Sequence, residues 1–228
     1  MTFKHYENMT HLNEKIIGCS SCLRLVEWRQ QIATIKRKSF MNDTYWARPV
    51  HGFGDPTAKI MIVGLAPAAH GANRTGRIFT GDRSGEWLYT ALFENGLSNQ
   101  PQSINATDSL ELREVFITSV VKCAPPQNKP EKSEIQECRK FFVQEHNVLK
   151  DNLKVIVCLG QLAHKSVFNL LNISPTPKFA HASEFIFKTI SVIDSYHPSQ
   201  QNTFTNRLTK PMFDQVFKRA KILANLNF

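Results

Sequence analysis

The chain has 228 residues, enough for one domain with a full hydrophobic core. Its 42% hydrophobic and 21% charged residues exclude a low-complexity or solenoid-repeat protein. No apolar run reaches the ~18 residues of a membrane span and the polar first residues do not form a signal peptide, so a cytoplasmic protein without a membrane partner is expected. The 28 Lys and Arg against 19 Asp and Glu, a formal net charge of +9, favour a polyanionic partner without establishing one, since many basic proteins are merely soluble.

In chain order, roughly residues 8 to 38 read as helical and basic, and the aromatic, Pro- and Gly-containing loop YWARPVHGFGDP follows. Short β-branched runs then alternate with helical periodicity, the signature of parallel strands with crossover helices. The predicted strands are KIMIVG (59–64), VFITSVV (115–121), VIVCLG (155–160) and TISVIDS (189–195). Between them lie three helical stretches. SGEWLYTALFENGL turns Trp87, Leu88, Ala91 and Leu92 to one face and ends at Gly96; KSEIQECRKFFVQEHNVL and QLAHKSVFNLLN follow, and a helix from Pro211 to Leu226 closes the chain. Nothing resembles a linker, so residues 1–228 are expected to form a single domain.

In an open parallel sheet the ligand sits at the carboxyl ends of the strands. That rule selects GLAPAAHGANRTGRIFTGD, KCAPPQNKP, GQLAH and YHPSQQNTFTNRLT. In the first, Gly64, Gly71, Gly76 and Gly81 are spread too widely for a dinucleotide fingerprint, and the G-K-[ST] of a P-loop is absent. A Gly-rich surface loop is the plain alternative. Yet Phe79 stands among His70, Asn73, Arg74, Arg77, Thr80 and Asp82, which together offer a stacking face, phosphate-pairing cations and a carboxylate suited to a base with its sugar-phosphate.

In KCAPPQNKP a proline pair stiffens the approach to Asn128, whose amide can match the imide edge of uracil, position a water, or simply serve its own turn. The loop after the fourth strand carries His197, Gln200, Gln201, Asn202, Asn206 and Arg207; the histidine alone could be a turn residue, but the neighbouring amides suit a phosphate backbone or a groove edge.

Five cysteines in a reduced compartment argue against a disulfide scaffold. Cys158, inside a strand pattern, reads as a small core residue. Cys19, Cys22, Cys123 and Cys138 remain, spaced for either tetrahedral zinc or an iron-sulfur cluster that would tie the N-terminal helix to the segment after the second strand.

GLAPAAHGANRTGRIFTGDRSGEWLY, VVKCAPPQNKP and YHPSQQNTFTNRLT, with CxxC upstream of GFGDP, closely resemble the family 5 (type b) uracil-DNA glycosylases, over roughly residues 19 to 220. The resemblance implies a three-layer α/β/α fold around a four-stranded parallel sheet. It also implies a 4Fe-4S cluster on Cys19, Cys22, Cys123 and Cys138, and excision of uracil, hypoxanthine and xanthine from DNA in base excision repair; separately, a monomer is expected. Leu65-Ala66-Pro67-Ala68 lacks the acidic residue of the related family 4, as family 5 does.

By similarity Asp82 and Asn128 hold the water and His197 donates a hydrogen bond to the uracil carbonyl. Phe79 stacks on the flipped base, and Ala66, Pro67, Ala68, Asn73 and Arg77 complete the base site. Gln201, Asn202, Phe204, Arg207 and Leu208 contact DNA, with the Phe204–Leu208 loop as the inserted wedge. Asn206 stands where the family usually has Gly. The rival reading is a non-catalytic iron-sulfur or zinc protein that binds nucleic acid and retains the fold.

Overall fold

The computed structural model describes residues 2–228, with side chains from residue 4 onward; Met1 lies outside the described residues. Two helices open it, α1 (Thr2–Ile17) and α2 (Leu23–Ile35). The single helical stretch expected over 8–38 is therefore two helices, broken by the Gly18–Cys22 turn, where Gly18 N–H closes on Glu14 O.

The sheet has six strands in the order β1-β3-β2-β4-β6-β5, comprising β1 (Phe53–Gly54), β2 (Ile60–Gly64), β3 (Val115–Ser119), β4 (Val155–Leu159), β5 (Glu184–Phe187) and β6 (Ile190–Ser195). The expected four-stranded parallel sheet forms its centre, β3-β2-β4-β6, but antiparallel edges close both sides and make the sheet mixed. β1 is only two residues long, too short for any alternation to show. β5 and β6 form a hairpin whose turn uses Lys188 at φ +52° rather than an Asn-Gly signal.

The central strands read as unbroken apolar runs because both faces are covered. Ile60 and Ile62 on β2, with Val115, Ile117, Val155 and Val157, face one apolar cluster, where Leu88, Leu92, Phe213 and Phe217 arrive from α4 (Arg83–Glu94) and α8 (Lys210–Leu223). Met61, Val63, Phe116 and Ile156 face the other, filled by α1, by α5 (Lys132–Leu149) through Phe141 and Phe142, and by α6 (Gln161–Leu170) through Val167 and Phe168. This period-two division produces the three layers. Two short helices complete the set, α3 (Ala72–Thr75) in the loop after β2 and α7 (Gln200–Phe204) in the loop after β6.

β2 pairs in parallel with β3 on one side and β4 on the other, so the chain reverses its winding direction at the carboxyl end of β2. Side chains from the loops gather there.

Candidate active site

A cleft of about 670 Å³ opens at this switch point, lined by the loops after β2, β3 and β6. Ala66, Pro67, Ala68, Phe79, Asp82, Asn128, His197 and Gln201 all line it, so three loops distant in sequence contribute to one concavity.

Asp82 is the N-cap of α4: its Oδ1 accepts from Gly85 N–H at 3.0 Å, and that fixes where the carboxylate stands. Burial holds the carboxyl above its ordinary range, opposed by backbone N–H groups of Gly85 and Ser84. Phe79 has φ +52° and lies on Gly64, where a Cβ would come within 2.8 Å of the ring; its carbonyl presses on Gly85, where a Cβ would be 1.7 Å away. Both glycines are therefore needed for close approach, one at the end of β2 and one in the first turn of α4.

His197 is half-buried and stacks on Phe79, with centroids 5.9 Å apart and planes at 29°. Burial lowers its pKa to about 4, so the imidazole is neutral at physiological pH. Asn202 Nδ2 donates to His197 O at 2.9 Å and holds the backbone at this position, and Ser199 caps α7 beside it. Asn128, at φ +56° after Gln127 at +53°, is exposed on a tight turn at the cleft wall.

Other expected contacts lie elsewhere. Asn73 and Arg77 do not line the cleft. Asn73 is buried and donates to Ala69 O and Arg29 O at 3.4 and 3.3 Å, bracing the Ala66–Gly71 wall from behind. Arg77 is buried in an ion pair with Asp108 at 2.5 Å, and its guanidinium lies 4.4 Å from the Phe53 ring centroid. A buried, paired arginine supports the loop and is not available to a ligand. Leu208 is a correction too: it is fully buried in the core under α8, which leaves Phe204, at 64% exposure, as the apolar side chain of that loop facing solvent. Arg83 covers the Phe204 ring and Arg207 covers Tyr196. Asn206 adopts φ +55°, the conformation a glycine would provide.

Sequence reading missed Arg37 and Phe40, which line the mouth of the cleft from the segment after α2. The signal was present in KRKSF, a basic run ending in an aromatic residue.

The four cysteines meet at a second pocket, away from the cleft. Cys19 and Cys22 arrive from the α1–α2 turn, Cys123 from the segment after β3 and Cys138 from α5, with Leu25, Val121 and Phe141 forming apolar walls. Arg24 pins α2 to the start of α5 through two bonds to Glu134, at 2.8 and 2.7 Å. Arg29 Nη1 donates to Cys123 Sγ at 2.8 Å, and the backbone N–H of Lys122 donates to Cys138 Sγ at 3.3 Å. Burial pushes the Cys123 thiol up to about 11 and the Cys138 thiol up to about 12, so an ionised sulfur there needs strong local positive charge. Among the described residues no three His, Cys, Asp or Glu groups converge closely enough for a single metal ion.

A carboxylate, a neutral imidazole, a carboxamide and an aromatic face at the switch point of a mixed α/β sheet define an enzyme-type cleft for a flat polar ring. A sequence model of the uracil DNA glycosylase superfamily matches residues 51–221, and the chain belongs to that superfamily. It is 44% identical to the type-5 uracil-DNA glycosylase of Mycobacterium leprae over 222 residues, 96% of this chain and 97% of the relative. The type-5 uracil-DNA glycosylase of Thermus thermophilus is 43% identical over 93% of this chain and 97% of its own length. That of Pyrobaculum aerophilum is 42% identical over 90% of this chain and 89% of its own.

Proposed function

We propose that the protein is a uracil-DNA glycosylase that hydrolyses the bond between C1′ of deoxyribose and N1 of uracil. The observation that carries this reading is the meeting of Asp82, Asn128, His197 and Phe79 in one cleft from three separate loops. The type-5 relatives, similar over nearly the whole chain, support it.

The nucleotide must leave the helix before the bond can be reached, at a cost of a few kcal/mol in stacking and pairing. A base laid on the Phe79 face has its plane within about 29° of the imidazole plane, so an N–H of His197 can run to an oxygen on the rim of the base. As the C1′–N1 bond breaks, the pair of electrons goes to the base, the sugar takes on oxocarbenium character and negative charge spreads onto that oxygen. A neutral imidazole donor stabilises the growing charge without first protonating the base. Asp82 stabilises the cationic sugar, and with Asn128 it orients a water whose oxygen bonds to C1′. One water is consumed, its hydroxyl going to the sugar and its proton to the departing base. Among the described residues no protein group bonds either His197 ring nitrogen, and the Asn128 carboxamide is likewise uncommitted; both are available to substrate.

Hypoxanthine and xanthine belong to the proposed substrate range, because a polar rim facing an open wall of Ala66 to Ala69 leaves space for a larger ring. The four cysteines are proposed to hold a 4Fe-4S cluster. Four thiols from three separate segments lining one apolar pocket are the observation that supports this reading. The cluster would supply rigidity, since hydrolysis needs no electron transfer. The deciding experiment incubates the protein with labelled duplexes containing uracil, hypoxanthine or xanthine and cleaves abasic sites with alkali. A product strand from uracil is expected; none with any base would leave a nucleic-acid binder without catalysis.

A further inference from the structure

The excision chemistry leaves the mouth of the cleft unexplained on the side formed by the turn after α2. There Arg37 and Phe40 line the opening, while Gln200 and Gln201 line it from α7. Arg37 and Lys38 are exposed, and neither side chain has a hydrogen-bond or ion-pair partner among the described residues, although Arg37 O accepts from Phe40 N–H at 2.8 Å. Lys36 is used internally, at φ +52° with Nζ on Met41 O at 3.1 Å, which closes the turn on itself and fixes the positions of the next two cations. Phe40 is equally fixed. The Arg74 guanidinium lies 3.9 Å from its ring centroid and is itself held by Asp43 at 2.6 Å, His70 O at 2.9 Å and Gly81 O at 3.2 Å. One buried-side cation therefore sets both the Phe40 ring and the Gly81–Asp82 turn.

We propose that Arg37 and Phe40 form a second DNA-holding rim of the cleft, with Arg37 pairing a phosphate beside the extruded nucleotide and the Phe40 face covering the adjacent base. An uncommitted guanidinium next to a clamped aromatic ring, on a chain of net charge +9, is the combination that grips a strand by its backbone and stacks on its bases. The proposal rests on the reading of the cleft as a DNA site, but concerns residues that need take no part in breaking the bond.

The test measures binding of the full chain to a labelled duplex carrying a tetrahydrofuran abasic-site analogue, across a range of salt concentrations. Arg37→Ala should lower the slope of log affinity against log salt by about 0.9, the release expected for one lost phosphate contact. Phe40→Ala should weaken binding about tenfold with the slope unchanged, and Phe40→Tyr should restore it. Lys150→Ala, at the end of α5 and the opposite end of the sheet from the cleft, is the control and should match wild type. An Arg37→Ala slope equal to that of Lys150→Ala overturns the phosphate contact, and unchanged affinity in Phe40→Ala overturns the stacking contact. If wild type excises no uracil while the Arg37→Ala slope still falls, the rim stands and the glycosylase reading fails.

Discussion

Lys122 Nζ lies 2.6 Å from Glu145 Oε2 with both side chains buried, and the pair links the end of β3 to α5 directly beside Cys123. The ammonium is completed by Thr118 Oγ1 at 2.6 Å and Ser119 O at 2.8 Å, and the other carboxylate oxygen accepts from Gly52 N–H at 3.1 Å. Such a satisfied network costs more to break than it contributes over an apolar replacement. Lys122→Met alone should destabilise the protein by roughly 3–5 kcal/mol, because it strands a buried carboxylate. Lys122→Met with Glu145→Leu should recover most of that loss in a denaturant melt, and equal losses in the single and double variants would contradict this account.

Asp82 combines two tasks that separate by substitution. Asn keeps the cap on Gly85, whereas Ala removes it at a cost of about 1 kcal/mol. Asp82→Asn should therefore melt near wild type yet lose excision, and Asp82→Ala should lose both. The effect on hypoxanthine should exceed that on uracil, since the poorer leaving group depends more on stabilisation of the sugar. Equal small losses on the two bases would remove Asp82 from the water-holding role.

His197→Ala should lower single-turnover excision of uracil by about 10²-fold, while affinity for abasic-site DNA is retained. Full activity would exclude the imidazole as the donor to the base.

Acid should act on the two groups in different ways. Asp82 must be ionised and its pKa lies above the ordinary carboxylate range, so the rate should fall with decreasing pH earlier than a free carboxylate would dictate, and Asp82→Asn should lose this limb. His197 titrates at its ordinary 6.5 when unfolded and near 4 when folded. Between those values the unfolded chain binds more protons, so stability should decline as pH falls from 6.5 to 4 and level off below. His197→Gln should flatten that part of the curve.

Gly85→Ala places a methyl group 1.7 Å from Phe79 O, and Gly64→Ala places one 2.8 Å from the Phe79 ring. Both variants should lose excision, the first with a large fall in melting temperature because the obstacle is backbone, the second with a smaller one because a ring edge can tilt. A Gly64→Ala protein with normal activity would show that the Phe79 face is not used.

The central strands were legible because burial on both faces forces continuous apolar runs, and observed β4 and β6 start within one residue of the expected positions. The edges were not: β1 is two residues beside a glycine, and β5 is bordered by neither Gly nor Pro. Asp82, Asn128 and His197 could be picked out because each lies in a loop that follows a parallel strand, a place sequence can mark. Arg77 and Leu208 misled for the opposite reason. Charge and loop position suggested exposure, but Asp108, 31 residues downstream, buries the arginine, and the start of α8 draws the leucine into the core. Such distant partners leave no local trace. Arg37 and Phe40 were passed over because their cleft is completed by loops that come later in the chain.

The cysteine pocket has a consequence for the order of synthesis. Cys19 and Cys22 leave the ribosome more than a hundred residues before Cys138 does, and the α5 segment that carries Cys138 follows three strands of the sheet. A centre that took all four thiols, as proposed above, could be enclosed only when more than half of the chain is out, so its N-terminal pair of ligands would wait while the sheet is still being built.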